Sequence, residues 1–393
     1  MFLKEICLRH FRNYAELVWS PSPTINILWG DNGQGKTNLL EAIYVLGNLR
    51  SFRTGRREDL IRWGTSRAYI KGILQHPLYT RDLVVEVILE GKGRRLQVNG
   101  KEPTRLGEFL GLVSTFLFFP DSLLLIKGGP QERRRFFDRG IYNLHPWYLE
   151  LVQRYNHALR QRNTLLKSPS SRNASLLDVW TSQYVELGTA IIGERIRYLH
   201  HLSKDLEEVK GEFFPEQHSL SLCYHSSLGC VFRFPLSREE GNKEQWQHRI
   251  RTRFVQQLKR REQEEQRQGQ SLIGPHRDDV QFLWGQHNLR FYGSQGEQRL
   301  TVFLVTLAMV RNFTRHTELS PIILFDDVIS ELDSRRRQII FDFLTQTGQQ
   351  VFLTTAELAG LGRFVEGKAL YRVTGGSLSY ESKMERRGYE SNR

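Results

Sequence analysis

Cysteine is scarce in this 393-residue chain: Cys7, Cys223 and Cys230 are the only three, none is spaced as C-x-x-C, and they offer no disulfide framework. His218 and His225 lie near Cys223 without a zinc spacing, so the cysteines read as packing residues in a reducing compartment. Long apolar runs are missing as well. No stretch approaches the ~20 residues that span a bilayer, and Met1 to Ile6 lack the basic-then-apolar layout of a secretory signal. The expectation is a cytoplasmic protein with no membrane partner. Repeats and low-complexity tracts are also absent, so the chain divides by pattern instead. Its hydrophobic content of 39% is ordinary for a globular protein and supports a sizeable core in two or three compact units.

Acidic residues are too few to balance the basic ones. The net charge is +13, and the excess lies in the first two thirds of the chain. Lys and Arg bind polyanions by neutralising phosphates and releasing counterions. Local clusters are Arg50, Arg53, Arg56 and Arg57, then Lys92, Arg94 and Arg95, then Arg133, Arg134 and Arg135. Any one of them alone is a solvated face. Together they favour nucleic acid without saying which kind.

Thr24–Trp29 is a short apolar run that ends at a Gly-rich turn, and Asn38 onward has helical spacing through Leu39, Leu40, Ala42, Ile43 and Leu46. Leu83–Leu89 and Leu96–Val98 are strand-like, and Asn99-Gly100 is a turn signal because both residues accept positive φ. From Glu132 to about Lys210 the period becomes helical. Tyr148, Val152, Tyr155 and Leu159 mark one amphipathic helix, and Leu177, Trp180, Tyr184, Leu187 and Ile191 a second. The polar tract Lys167–Ala174 is the expected turn between them. Glu244–Gln268 predicts a third helix with Trp246, Ile250, Phe254 and Leu258 on one face, and a few strands fall near Leu220–Phe234. The α/β pattern returns after residue 270, with apolar strands at Ile322–Phe325 and Val351–Leu353.

The expected fold is therefore an α/β domain split in sequence by an inserted, mainly helical domain, and the runs at residues 30–37, 294–298 and 322–327 give that split domain a resemblance to a P-loop ATPase head of the ABC type. Its boundaries are read as 1–124 and 271–393 for the two halves of the head, and 125–270 for the insert. A helix of ~35 residues spans about 50 Å, so the insert can form only a short antiparallel arm.

Gly30-Asp31-Asn32-Gly33-Gln34-Gly35-Lys36-Thr37 fits G-x-x-x-x-G-K-[ST] with no mismatch, between an apolar strand and a helix that opens at Asn38. Backbone N–H groups of such a loop wrap phosphates at a helix N-terminus. In that pattern Lys36 reaches the β and γ phosphates of ATP and Thr37 ligates Mg²⁺. Ile322–Phe325 then delivers Asp326 to the metal side and Asp327 to orient or activate the attacking water. A strand that ends in an acidic turn is common on its own; the phosphate loop gives it meaning.

Ser294-Gln295-Gly296-Glu297-Gln298 opens an apolar helix about thirty residues before Asp326. Alone it is a capped helix. In this order behind a phosphate loop it resembles the ABC signature, whose serine and glycine contact the γ-phosphate bound by the opposite subunit, which implies an ATP-dependent homodimer. Ser330-Glu331-Leu332-Asp333 resembles the D-loop of the same superfamily.

Further runs resemble the RecF family: Leu8–Tyr14, Ser51-Phe52-Arg53, Lys127–Pro130 through Asp138, and Gly274-Pro275-His276-Arg277-Asp278-Asp279. The resemblance covers most of the chain. It implies ATP-dependent binding of single-stranded, duplex and gap-junction DNA, a slow DNA-stimulated ATPase, and cooperation with RecO and RecR in loading RecA, with a role in SOS induction. Similarity to SMC heads gives Arg53 two readings, an arginine on the nucleotide phosphates in cis or a member of the DNA-facing cluster. Arg56, Arg57, Lys127, Arg133, Arg134 and Arg135 are the candidate DNA contacts. His276 reads as part of a structural turn before the signature helix rather than as a metal ligand.

The sequence departs from many ABC heads in carrying Asp327 where glutamate is usual and Thr354-Thr355 where a histidine follows the next strand, which predicts slow turnover. No Q-loop glutamine is assigned after Phe118–Ser122. Two rivals stay open at this stage: a transporter-type ABC ATPase, which predicts a contiguous, near-neutral head, and a non-catalytic basic P-loop scaffold.

Overall fold

The computed structural model describes residues 1–167, 174–213, 220–236, 243–327, 334–346 and 348–381. The Lys167–Ala174 turn and the Ser330–Asp333 motif lie wholly or mostly outside that range. The chain forms two compact units, one of Met1–Pro120 with Phe313–Arg393 and one of Asp121–Asn312.

The first unit contains β1 (Phe2–Phe11), β2 (Tyr14–Trp19), β3 (Ile25–Trp29), α1 (Lys36–Asn48), β4 (Arg67–Gln75), β5 (Leu83–Glu90), β6 (Gly93–Val98), the short α2 (Leu106–Phe109) and β7 (Thr115–Phe118). Five of these strands make an antiparallel sheet in the order β2-β1-β4-β5-β6. β4 and β5 bury every second residue, as one-sided antiparallel strands do. The Asn99-Gly100 signal is met by φ values of 50° and 77°. It closes the Val98–Lys101 bridge rather than the β5–β6 hairpin, and Asn99 there bonds Val84 through both N–H and side chain.

The second unit holds α3 (Leu124–Lys127), α4 (Pro130–Leu144), α5 (Trp147–Lys167), α6 (Ala174–Phe213), β8 (Leu220–Ser226), β9 (Cys230–Phe234), α7 (Lys243–Gln268), β10 (Asp279–Trp284), β11 (His287–Asn288) and α8 (Leu289–Tyr292). At 40 residues α6 is longer than the spacing of Leu177 to Ile191 predicts, about 60 Å at 1.5 Å per residue. Its later turns keep burying apolar side chains, among them Leu199, Leu202, Leu206 and Val209. On α7 the expected face is buried at Ile250, Phe254 and Leu258.

Past these, α9 (Gln295–Thr317) runs across the unit boundary. β12 (Ile322–Asp326), α10 (Ser334–Gln346), β13 (Val351–Thr355), β14 (Ala369–Thr374) and β15 (Ser377–Glu381) complete the first unit. The two compact units divide at 312/313, while the insert is read from sequence as ending at 270. The reason is pairing: β10 joins β8 and β9 in one four-stranded sheet, so the segment after Gly274 belongs to the insert's core.

The second sheet of the first unit has the order β15-β14-β3-β13-β12-β7. β14, β3, β13, β12 and β7 are parallel, and β15 is the antiparallel edge. β12 and β13 are buried at every position, the mark of parallel strands covered on both faces. The carboxyl ends of β3, β13 and β12 come together, which is where ligands bind open α/β sheets. Among the described residues no helix is long and apolar enough to cross a membrane.

Candidate nucleotide site and its supports

The phosphate loop leaves β3 at Gly30 and enters α1 at Lys36. Gly30, Gly33 and Gly35 have φ of 138°, 82° and 116°, a region that costs side chains with a Cβ. At two of them space also demands glycine. A Cβ on Gly30 would lie 2.6 Å from Val373 O, and one on Gly35 would lie 2.5 Å from Asn13 Nδ2.

The loop is propped from outside. Asn13 Nδ2 donates to Gln34 O at 2.9 Å, Tyr14 Oη to Gly35 O at 3.0 Å, Gly376 N to Gln34 O at 3.0 Å, and Gly375 N to Gln34 Oε1 at 2.7 Å. Asn13 and Tyr14 lie in the Leu8–Tyr14 run, where no local pattern marks their part in the loop. Gly375 and Gly376 carry no local signal of one, because their partner is more than three hundred residues away.

Lys36 is buried, and its Nζ donates to Gly30 O and, at 2.8 Å, to Asp31 O. Burial lowers its pKa, opposed by Asp327, Asp326 and Asp31. Thr37 Oγ1 donates to Asp326 Oδ1 at 2.8 Å, and Thr354 Oγ1 donates to the same oxygen at 2.9 Å. Burial raises the Asp326 pKa, while the two hydroxyls hold it down. Thr354 also accepts from Asp327 N at 3.0 Å, fixing that residue at φ 49°. The threonine read from sequence only as a missing histidine is thus a clamp on both acids.

Asn38 continues the chain of contacts, donating to Asn13 Oδ1 and accepting from Arg53 Nη1, both at 2.8 Å. Arg53 is exposed, yet its charge acts on Asp326. Glu41, fully buried on α1, receives Arg12 through two bonds of 2.7 and 2.8 Å and also the Ser51 hydroxyl. Glu41 was missed; a lone acid between Leu40 and Ala42 on an apolar helix was the available sign.

Thr37 and Asp326 offer a hydroxyl and a carboxylate, hard oxygen donors that suit Mg²⁺, which draws its other ligands from phosphates and water. A cation there also offsets the burial of the Asp326 charge.

In the second unit Ser294 and Glu297 form a reciprocal capping box. Ser294 N donates to Glu297 Oε2 at 2.7 Å and Glu297 N to Ser294 Oγ at 3.3 Å. Ser294 and Gln295 remain exposed, Gly296 is half-buried, and Gln298 is buried with its amide donating to Leu289 O and Gly293 O.

Two of the arginines expected on DNA are engaged within the second unit. Arg133 is buried and grips Asp279 through Nε and Nη2 at 2.7 and 3.0 Å, with Nη1 on Gly128 O at 2.8 Å. Arg134, half-buried, donates to Asp278 O at 2.6 Å. Lys127, Arg135 and Arg56 are exposed, and Arg57 is half-buried with Nη1 on Lys92 O at 2.8 Å.

The Gly274–Asp279 run also gains a structural account. His276 spends both ring nitrogens, Nδ1 with Tyr155 Oη at 2.7 Å and Nε2 with Ser271 O at 3.2 Å, and burial lowers its pKa to about 4. Arg195 Nη1 donates to Pro275 O at 2.6 Å, while Asp278 accepts Tyr224 Oη at 2.5 Å and Ser227 N at 2.6 Å. The run ties α5, α6 and β8 together just before β10.

The fold and loop define a P-loop ATPase head of the kind shared by SMC proteins. The family model for the RecF/RecN/SMC N terminal domain matches residues 2–375. DNA replication and repair protein RecF of Halalkalibacterium halodurans is 35% identical over 381 residues, 96% of this chain and 99% of that one. RecF of Geotalea daltonii is 33% identical over 379 residues, 96% of this chain and 100% of that one. The recombination mediator protein RecF with ATP superposes with a TM-score of 0.85 at 28% identity, covering 97% and 98% of the two chains. An Smc head bound to the C-winged helix domain of ScpA shares the fold at a TM-score of 0.54 and 16% identity, over 98% of each chain. The chain belongs to the RecF family.

Proposed function

We propose that this protein is a DNA replication and repair ATPase that uses ATP as a dimerisation switch on DNA. The observation that carries the reading is the constellation of Lys36, Thr37, Asp326 and Thr354 at the mouth of a glycine-built phosphate loop, in a chain of the RecF family.

ATP enters with its triphosphate against the loop N–H groups, and Lys36 exchanges its carbonyl partners for the β and γ phosphates. Thr37 and Asp326 would hold Mg²⁺, which would supply neutralisation of charge on those phosphates. Thr354 keeps Asp326 ionised and aims Asp327, which orients the water. Arg53, tied to Asn38 on the first turn of α1, favours the reading that places it on the nucleotide side in cis. Asp327 is one methylene shorter than glutamate and Thr354 supplies no imidazolium, so hydrolysis is slow. Turnover at the rate of a transporter ATPase would contradict this.

Ser294 and Gly296 of one copy complete the ATP site of a second copy, giving a homodimer with two ATPs between heads. Dimerisation then closes on single-stranded, duplex or gap-junction DNA, and RecO, RecR and RecA are the partners by family. The test is Lys36→Ala. ATP affinity is expected to fall at least tenfold, and ATP-dependent dimerisation and DNA retention to disappear with it. Dimerisation and retention that survive the substitution would leave the nucleotide a structural role only.

A further inference from the structure

The five-stranded sheet of the first unit presents one end built from four neighbouring segments. Antiparallel register places there the β1–β2 turn at Arg12–Asn13, the loop entering β4 at Arg67, the β5–β6 turn after Glu90, and the start of β6 at Gly93. The β1–β2 turn is the one whose Asn13 braces the phosphate loop.

Three guanidinium groups gather beside this end. Arg94 Nη1 donates to Leu49 O at 2.9 Å, next to Arg50 at the end of α1, and Arg57 Nη1 donates to Lys92 O at 2.8 Å, two residues before Arg94. Each rests on a backbone carbonyl or on solvent, and none of the three joins an ion pair among the described residues. Nearby acids are engaged elsewhere, Glu90 with Arg95 at 2.8 Å, and Glu58 and Asp59 with Arg56 at 3.8 and 3.9 Å. Burial first, and then the neighbouring charges of Arg57 and Arg50, push the Arg94 pKa down to about 10.

The same end carries an aromatic ring in water. Trp63 is 97% exposed at the tip of the Arg62–Thr65 turn, which is closed by Thr65 N and Thr65 Oγ1 on Arg62 O at 3.1 and 2.7 Å, with Gly64 at φ 82°. The turn is anchored behind by the Phe11–Ile61 bridge. A held, exposed tryptophan at the end of the sheet that carries uncompensated guanidinium groups suits a ligand with both phosphates and unpaired bases, since base stacking on an aromatic ring needs a strand not already stacked in a duplex.

We infer that Arg50, Arg57 and Arg94 with Trp63 form a contact for single-stranded nucleic acid, the arginines on the phosphodiester backbone and the indole on a base. The inference rests on the DNA reading above and assigns it a place, a sheet end that shares a turn with the phosphate loop.

The experiment is fluorescence anisotropy of the full chain with a labelled oligo-dT and with a duplex of equal length, across a salt series, alongside ATP affinity. Arg50→Ala with Arg57→Ala is expected to flatten the slope of log K against log salt on the single strand by about 1.4, at about 0.7 per phosphate. Trp63→Ala is expected to weaken oligo-dT binding roughly 5- to 150-fold, the range for loss of one stacked base. Trp63→Phe keeps most of the affinity, the duplex changes little with either Trp63 variant, and ATP affinity is unchanged in all of them. If the arginine pair folds poorly, exposed Arg50→Ala alone should flatten the slope by about 0.7. Unchanged slope and affinity in variants of a wild type that binds DNA would overturn the inference and leave the proposed function standing. Equal losses on duplex and single strand would overturn the stacking assignment. A wild type that retains no DNA in any nucleotide state would overturn both.

Discussion

Replacing Thr354 by valine removes one hydroxyl and almost no volume, at the point where two acids are held. In the native protein that hydroxyl donates to Asp326 Oδ1 at 2.9 Å and accepts from Asp327 N at 3.0 Å, with the side chain 1% exposed. The variant loses a bond to a charged group and leaves a backbone N–H without its acceptor, a combined cost of about 2–4 kcal/mol. For a unit of this size that lowers the melting temperature by roughly 5–15 °C. A functional effect accompanies it. Asp326 is left with the Thr37 bond and the Arg53 charge against burial, so its pKa rises further and the pH at which Mg²⁺ supports ATP binding moves up. Thr354→Ser keeps the hydroxyl and loses a methyl, so it should cost about 1 kcal/mol and leave the pH profile in place. Calorimetry and an ATP titration from pH 5 to 8 measure both. A Thr354→Val protein that melts within a degree of wild type, with an unshifted profile, would refute the clamp.

Asp326→Asn isolates the charge while keeping an oxygen that accepts from Thr37 and Thr354. The folded-state pKa of Asp326 is raised, so its proton-linked stability is present below the unfolded value of about 3.9 and is lost as pH rises through the folded value. Ionised Asp326 therefore destabilises the ligand-free protein at neutral pH, and the variant should melt at or above wild type there, with the gap closing near pH 4. Mg²⁺-dependent ATP hydrolysis should be lost, and a variant that melts well below wild type at pH 7 would contradict the assignment. Arg133→Ala breaks the buried pair with Asp279 and should cost about 3–5 kcal/mol by denaturant titration. Its DNA salt slope, if the variant folds, should stay unchanged, and a flatter slope would return Arg133 to the phosphate contacts. Arg135→Ala, exposed on the same helix, should change stability by under about 0.5 kcal/mol.

The parts legible in the sequence are those whose signal is local. The phosphate loop, β3, β12 and the helical faces of α5 and α7 rest on periodicity or on a motif within a few residues. The supports of the site come from far away in the chain, Gly376 on Gln34, Thr354 on Asp326, Arg12 on Glu41, and no local pattern announces such pairs. Arg133 shows how a local pattern leaves burial open. Three consecutive arginines look alike in sequence, but a helix turns them to different sides, so Arg133 is buried, Arg134 half-buried and Arg135 exposed. The division of the compact units at 312/313 has no local sign in the sequence, because a strand's partners are chosen in three dimensions and β10 pairs with β8. The signature serine is a helix cap by its bonds to Glu297, and its hydroxyl is exposed at the start of α9; its contact with a second ATP belongs to the proposal.

Oligomeric state by light scattering, with no nucleotide, with ATP and with ADP, each with and without a gapped duplex, tests the central claim most directly. A monomer is expected without nucleotide and with ADP, and a dimer with ATP that gapped DNA strengthens. A monomer under every condition would mean that Ser294 faces no second ATP, and would contradict the switch.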